Sequence, residues 1–360
     1  MQNSLYYVSA FRKRLHFFEL SSQPMPPSRP TIADVAQLAG VSIATVSRVL
    51  NGTAPVDTET AERVRSTIAD LNYVPHAAAR TLASRRTDTI GLLLPEISGA
   101  FFQPMLRGVE AGVSEAGFDL LIHTTQSRPE NSPHRPLGEH NTDGLLVFTE
   151  SLDAKELTRL HSIGFPVVLL HQAPPNSLNI PVVTIENQSG AQKIVEHLIE
   201  VHNCYRIVFL QGPEGHEDST WREKGYRVAL KAHGLTFDPS LVARGAFKRD
   251  GARATMEQML LDGVEFDAVF AGDDDAAVGV YLALRQAGRR IPEDVAVAGF
   301  DDQVFASTLT PALTTVRAPT EQVGRDAVHI LAHLLKGEQA EPRLILPTEL
   351  VIRESCGCHA

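Results

Sequence analysis

The side chains best suited to act on another molecule sit together at Ser42-Ile43-Ala44-Thr45-Val46-Ser47-Arg48, a run of short or hydrogen-bonding residues that closes on a long forked donor. At the exposed start of a helix such a set can enter the major groove of DNA. Ser42, Thr45 and Ser47 would offer hydroxyls there, while Ile43 and Ala44 can make only apolar contacts, as with a thymine methyl. Arg48 can bond a guanine edge bidentately or simply hold a phosphate. Val46, Val49 and Leu50 share the other face and are assigned to core packing.

Catalytic chemistry finds little support. The sequence lacks a Gly-x-Gly-x-x-Gly after a strand, a phosphate loop ending in Gly-Lys-Ser/Thr and a Gly-x-Ser-x-Gly elbow, so neither a cofactor nor an enzymatic role is expected. His329 and His333 stand four apart without the Glu of a zincin and read as a helix face. Cys356-Gly357-Cys358-His359 has the residue types of a metal site. At a chain end without a second ligand pair it reads as a frayed tail, and no metal is expected.

The elements that must position the 42–48 run are legible around it. Thr31 is a good N-cap before Ile32 to Ala39, in which Ile32, Val35, Ala36 and Ala39 fall on one face. Gly40 stops that helix, Ser42 caps a second and Asn51-Gly52 breaks it. Asp57 caps a third that carries acidic residues in its first turn. Two helices joined by a tight Gly turn make a helix-turn-helix, and the three together make a headpiece over residues 29–74. The Pro-rich stretch 21–30 cannot form a helix or a central strand, so residues 1–28 are expected to be a disordered extension, with Met25 a second candidate start. Pro75 to Ser84 has Pro at a helix start and a run of Ala but is too short to hold helix alone, so residues 75–88 read as hinge and linker.

Charge divides the chain in the same places. The net charge of the 360 residues is -10, yet residues 1–28 and 29–86 each carry +2, and the acidity lies wholly in residues 87–360. A chain that coats nucleic acid along its length is therefore excluded. Three cysteines, Cys204, Cys356 and Cys358, cannot staple a chain of this size, which fits a reducing cytoplasm. No run reaches the roughly 18 apolar residues of a membrane span, and the N-terminus lacks the apolar region and cleavage site of a signal peptide. The expected location is cytoplasmic, with no membrane partner.

From Thr89 the pattern becomes β/α. Strand-like runs at 90–94, 119–122, 144–148, 166–170, 182–185, 206–210, 268–270 and 295–298 alternate with helical stretches at 105–116, 190–201, 222–233, 253–261 and 275–287. Apolar strands alternating with helices imply parallel sheets covered on both faces, and some 270 residues exceed what one sheet needs. Residues 89–360 are thus expected to form two doubly wound lobes with a cleft between them, and ligand residues should follow the carboxyl ends of strands.

Thr31-Ile-Ala-Asp-Val-Ala-Gln-Leu-Ala-Gly-Val-Ser-Ile-Ala-Thr-Val-Ser-Arg-Val-Leu-Asn51 resembles, almost residue for residue, the helix-turn-helix of the lactose/galactose repressor (LacI/GalR) family. The resemblance continues through Asn72-Tyr-Val-Pro75, Ala79-Arg-Thr-Leu82, Arg222-Glu-Lys-Gly-Tyr226, Ile291 to Asp302, Thr310 to Val316 and Leu346 to Ser355, so it covers about residues 31–355. It implies a small all-α headpiece on a periplasmic-binding-protein-like α/β core, and the function of a DNA-binding transcriptional regulator, most simply a repressor. The partners it implies are operator DNA, a homodimer mate and a small-molecule effector, by default a carbohydrate. Thr31, Ser42, Ile43, Ala44, Thr45, Ser47, Arg48, Asn51, Ala79 and Leu82 then fall to DNA, with base reading mainly at Ile43, Ala44 and Arg48. Leu82 matches the family's minor-groove wedge, which kinks the duplex at a flexible step.

Phe101, Phe102, Arg222, Asp273 and Asp301 match effector-pocket positions of the family, and Trp221 beside Arg222 could line the cleft or pack elsewhere. Two departures stand out. Asp273 puts a carboxylate where the family usually has an amide, which would repel an anionic effector. Residues 126–141 contain three prolines where the family has a longer helix, so that helix is expected to be truncated or irregular. A periplasmic-type sugar-binding protein shares the two-lobe architecture, but it would need export and no headpiece.

Overall fold

The computed structural model describes residues 30–52, 54–74, 86–125, 137–175 and 178–358. The expected extension 1–28, the hinge residues Ala79 and Leu82, and residues 126–136 lie outside them. The chain divides into two compact units, 1–84 and 85–360. Among the described residues no single helix is long and apolar enough to cross a membrane.

The first unit holds α1 (Ile32–Ala39), α2 (Ile43–Asn51) and α3 (Thr58–Asp70), each opened by the cap expected from the sequence. Thr31 and Asp34 form a reciprocal capping box, the Ser42 hydroxyl accepts from the Thr45 N–H, and Asp57 accepts from Glu59 and Thr60. Each such cap is worth about 1 kcal/mol. Gly40 and Gly52 end α1 and α2 in the left-handed conformation, with φ of 66° and 63°, which glycine adopts without steric cost. Val35, Ala36, Ala39, Val46, Val64 and Tyr73 close a small core, and Arg63 ties α3 to the Ala39 carbonyl at 3.0 Å.

The second unit carries twelve strands among the described residues. A six-stranded sheet orders β11-β5-β4-β3-β1-β2, built from β1 (Thr89–Leu94), β2 (Asp119–Thr124), β3 (Gly144–Phe148), β4 (Val167–Leu170), β5 (Val182–Ile185) and β11 (Arg343–Leu346). A four-stranded sheet orders β7-β6-β8-β9, from β6 (Ile207–Gln211), β7 (Val242–Arg244), β8 (Ala268–Ala271) and β9 (Ala296–Ala298). All pairings within these two sheets are parallel. A short antiparallel pair, β10 (Thr315–Arg317) with β12 (Glu349–Val351), completes the set.

Both faces of the large sheet are covered, as a parallel sheet requires. Along β1, Ile90, Leu92 and Leu94 enter one apolar cluster while Leu93 enters another, and β3 and β4 alternate in the same way. The covering helices are α4 (Phe102–Ala116), α5 (Ala154–Ser162), α6 (Asn187–His202), α7 (Glu217–Ala232), α8 (Arg249–Leu261), α9 (Asp274–Gln286) and α10 (Thr320–Leu335). Glycine permits the closest helix crossings. A Cβ on Gly108 of α4 would lie 1.9 Å from the Glu321 carbonyl oxygen of α10, and one on Gly225 of α7 would lie 2.3 Å from that of Gln188 in α6.

The sequence reading found eight of the strands and missed β7, β10, β11 and β12, while the helix face read at His329 and His333 is part of α10. The four missed strands are short and each carries a charged residue, Arg244, Arg317, Arg343 or Glu349, so none stands out as an apolar run. Strand β11 also joins the first lobe's sheet from beyond the second lobe, a long-range pairing that local pattern does not encode. Of the stretch expected to be irregular, residues 137–141 form bends and a turn, closed where Asn141 Oδ1 accepts from the Gly138 N–H and Thr142 Oγ1 donates to the Gly138 carbonyl.

Candidate functional site

In the first unit, α1 and α2 meet at 105°, within the usual range for a helix-turn-helix. Packing Val46 inward leaves Ile43, Ala44 and Arg48 exposed on α2, and Ile43 keeps 51% of its surface in water although it is apolar. Several of the hydroxyls assigned to DNA are already engaged within the fold. Ser42 Oγ lies 2.9 Å from Thr45 Oγ1, Thr31 Oγ1 donates to Asp34, and Asn51 donates to Ser47 Oγ at 3.2 Å. Ala79 and Leu82 fall outside the described residues.

In the second unit, the order β2-β1-β3 in one sheet and β7-β6-β8 in the other puts a topological switch point in each, after β1 and β3 and after β6 and β8. The loops leaving those strands, with those after β7 and β9, line one cavity of about 820 Å³. Its walls include Glu96, Phe101, Phe102, Phe148 and Glu150 from the first sheet's loops, and Asp218, Arg222, Phe247, Asp273 and Asp301 from the second's. The five residues matched to an effector pocket therefore meet in one place. Lys248 reaches Glu96 across the cavity at 2.9 Å, joining the two lobes at its edge.

Arg222 is 2% exposed and is fixed on every side. Its Nε donates to Asn187 Oδ1 at 2.9 Å, Nη1 to the Gly272 carbonyl at 2.6 Å and Nη2 to Asp301 Oδ1 at 3.1 Å. The guanidinium also lies over the Phe300 ring at 3.8 Å. Asp218, one turn earlier on α7, accepts from Asn187 at 2.7 Å and sits 2.8 Å from His171 Nδ1. Burial alone would raise the Asp218 carboxyl, but His171 and Arg222 outweigh it and hold it at about 2.

Asp273 has a different fate. Its Oδ1 caps α9 by accepting from the Ala276 N–H at 2.8 Å, yet burial and the charge of Asp301 push its pKa up to about 7. Burial also raises Asp301, against the pull of Arg222. Asp274, directly behind, rises well above its ordinary value through burial and Asp301, although Thr315 donates to one of its oxygens and the Gln303 N–H to the other. His216, on the wall, is driven down to about 4 by burial. The cavity thus combines several acceptor oxygens, a buried cation at Arg222, the paired cations Lys248 and Arg249 and aromatic faces.

Sequence reasoning missed Phe247, Asp218, His216 and Phe148. Phe247 follows β7, the strand too short to be recognised, at φ 54° after Ala246 at 57°. This left-handed pair turns its ring into a slot that exists because Gly212 and Gly272 lack Cβ atoms; a Cβ at Gly212 would lie 2.4 Å from the ring. Asp218 could have been found as the residue four before Arg222. Trp221 faces away from the cavity and borders a separate groove with Asn187, Gln192 and Ile345. His329 and His333 are surface residues of α10, paired with Glu115 and Glu338.

Residues 31–76 match the family described as bacterial regulatory proteins, lacI family, and residues 195–356 match a periplasmic binding protein-like domain. The chain is 38% identical over 340 residues to the HTH-type transcriptional regulator CelR of Thermobifida fusca, covering 91% of this chain and 98% of that protein. It is 34% identical over 306 residues to the ribose operon repressor of Escherichia coli (strain K12), covering 84% and 92%. Among solved structures it superposes on a transcriptional regulator CelR–cellobiose complex with a TM-score of 0.68 at 35% identity, covering 91% of this chain and all of the other. The lac repressor dimer bound to operator and the anti-inducer ONPF shares the fold, with a TM-score of 0.78 at 24% identity over 91% of this chain and 99% of that one.

Proposed function

The chain belongs to the LacI family of DNA-binding transcriptional regulators, and from that premise we propose that it is a dimeric repressor of a near-palindromic operator, controlled by a neutral carbohydrate in the cleft of its second unit. The chemistry of that cleft carries the effector reading. Asp218, Asp273 and Asp301 surround a single fixed Arg222, while Phe101, Phe148 and Phe247 supply rings. Carboxylates accept from sugar hydroxyls, a guanidinium donates to them, and aromatic rings cover the C–H face of a pyranose. The excess of acceptors disfavours an anionic ligand. A cavity of about 820 Å³ has room for a disaccharide, in keeping with the relative solved with cellobiose.

At the DNA, a two-fold dimer presents α2 twice, once to each half-site. Ile43 and Ala44 meet thymine methyls, Arg48 takes a guanine edge or a phosphate, and Thr31, Ser42, Thr45, Ser47 and Asn51 hold the helix against the backbone. Ala79 and Leu82 act at the centre, where Leu82 wedges a deformable step. The carbohydrate biases lobe closure, and DNA must alter its affinity by the same factor. Such a cleft binds without turnover, as suits a family of regulators, and the protein works in the cytoplasm where its operator lies.

Selection from random duplexes with the purified chain tests this reading, followed by affinity for the winner at two salt concentrations and calorimetry against a panel of neutral and anionic sugars. A near-palindrome should be enriched. Arg48→Ala should weaken it by about tenfold or more, Leu82→Ala should weaken it chiefly on duplexes with a flexible centre, and a neutral sugar should bind. Absence of any enriched sequence would refute the regulatory reading, and preference for anionic ligands would refute the effector assignment.

A further inference from the structure

Far from the cleft, four side chains with metal-binding atoms converge. His197 and His202 on α6 meet Cys356 and Cys358 at the end of the chain, and their four candidate ligand atoms all lie within 4.8 Å of one another. The tail that reads from sequence as frayed is packed here. Cys356 is 2% exposed and His197 8%, and the second ligand pair missing from the linear sequence is supplied by α6 across 159 residues.

Three of the spacings match the edge of a tetrahedron, and the remaining ones lie within 4.8 Å. Cys356 Sγ is 3.5 Å from His197 Nε2, and Cys358 Sγ is 3.7 Å from His197 Nε2 and 3.4 Å from His202 Nε2. With Zn–S of about 2.3 Å and Zn–N of about 2.0–2.1 Å, a tetrahedral centre has a sulfur–nitrogen edge of about 3.5 Å. Three sulfur–nitrogen contacts gather in one cluster, two of them on the same His197 nitrogen, and Cys356 Sγ also lies 3.4 Å from the Arg353 carbonyl oxygen. One dication satisfies all four groups.

The surroundings are built to the same end. Gly357, between the two cysteines, adopts φ 106°, and a Cβ there would lie 3.0 Å from His202 Nδ1, so glycine both turns the chain and admits the imidazole. Thr314 Oγ1 donates to Cys356 Sγ at 3.1 Å, an outer hydrogen bond of the kind that steadies a thiolate ligand. His197 and His202 have four residues between them, a spacing found in structural zinc sites.

We propose that His197, His202, Cys356 and Cys358 form a closed Cys₂His₂ site for Zn²⁺ that clips the chain end to the last turns of α6. The first residue of that helix, Asn187, holds Arg222 and Asp218 in the cleft. A zinc ion at the other end would fix the helix that carries this anchor. The site stands independently of the regulatory reading, since nothing in it depends on DNA or sugar.

The test is metal content by mass spectrometry on the untagged full chain, expressed with zinc and exchanged into chelator-treated buffer, together with cobalt titration of the apo protein. About one zinc per chain is expected, with at least a tenfold lower content in Cys358→Ser and His202→Asn, and a downward shift of the thermal unfolding midpoint when the wild type is stripped by chelator. Cobalt should give the strong visible bands of a tetrahedral ion and a thiolate charge-transfer band, a readout on the wild type that does not depend on either variant folding. Zinc content equal in wild type and folded variants, a cobalt spectrum without thiolate character, or a purified chain two hydrogens lighter through a Cys356–Cys358 disulfide would each overturn the proposal.

Discussion

Replacing Asp273 by Asn removes one charge and little else, because Asn caps a helix as well as Asp does and the acceptor facing the Ala276 N–H is retained. In the fold, burial and Asp301 hold the Asp273 carboxyl at about 7 against an ordinary 3.8. Between these two values the folded protein keeps a proton that the unfolded chain has shed, so stability falls as pH rises from about 4 to about 7 and is level above. The full span corresponds to about 4 kcal/mol. Because Asp301 and Asp274 ionise more readily once the neighbouring charge is gone, a gain of roughly 2–4 kcal/mol is expected for the variant at pH 8, about 1–2 kcal/mol at pH 5 and almost none below pH 4.

Thermal unfolding of wild type and variant at pH 5 and pH 8 is the assay, and the gain should appear as a midpoint roughly 5–10 °C higher at pH 8 and by less than half of that at pH 5. Sugar binding adds a second check. A hydroxyl donating to ionised Asp273 lowers its pKa, so wild-type affinity should rise with pH through 7 while the variant's stays flat. Equal midpoint differences at pH 5 and pH 8 would refute the assignment of a raised pKa to this carboxyl.

Two further substitutions probe the fold and the cleft. Gly108→Ala drives a methyl into the Glu321 carbonyl at the α4–α10 crossing and should cost about 3 kcal/mol or prevent folding, measured by urea denaturation, whereas Gly117→Ala, in open space but at φ 76°, should cost only about 1 kcal/mol. Phe247→Ala empties the slot beside Gly212 and Gly272 and should weaken sugar binding about tenfold in calorimetry, while operator affinity without sugar stays unchanged.

The helix-turn-helix and the two-lobed parallel architecture were legible in the sequence because their signals are short-ranged. Caps at Thr31, Ser42 and Asp57, glycine stops at Gly40 and Gly52, and apolar runs such as Ile90 to Leu94 each act within a turn or a strand, and they survive in the fold almost unchanged. Phe101, Phe102, Arg222, Asp273 and Asp301 were named through resemblance, and the fold brings them to one cavity.

What the tertiary structure alone decided were the partners across distance. It paired β11 with β5, turned Phe247 inward on two consecutive positive-φ residues, surrounded Arg222 with carboxylates and set the chain end against His197 and His202. It also decided which acids stay ionised. Asp218 and Asp273 are the same residue type in one cleft, yet one lies at about 2 and the other at about 7. The difference is the number of cations and anions packed beside each in a medium that screens them weakly, a property of spatial neighbours that no window of sequence contains.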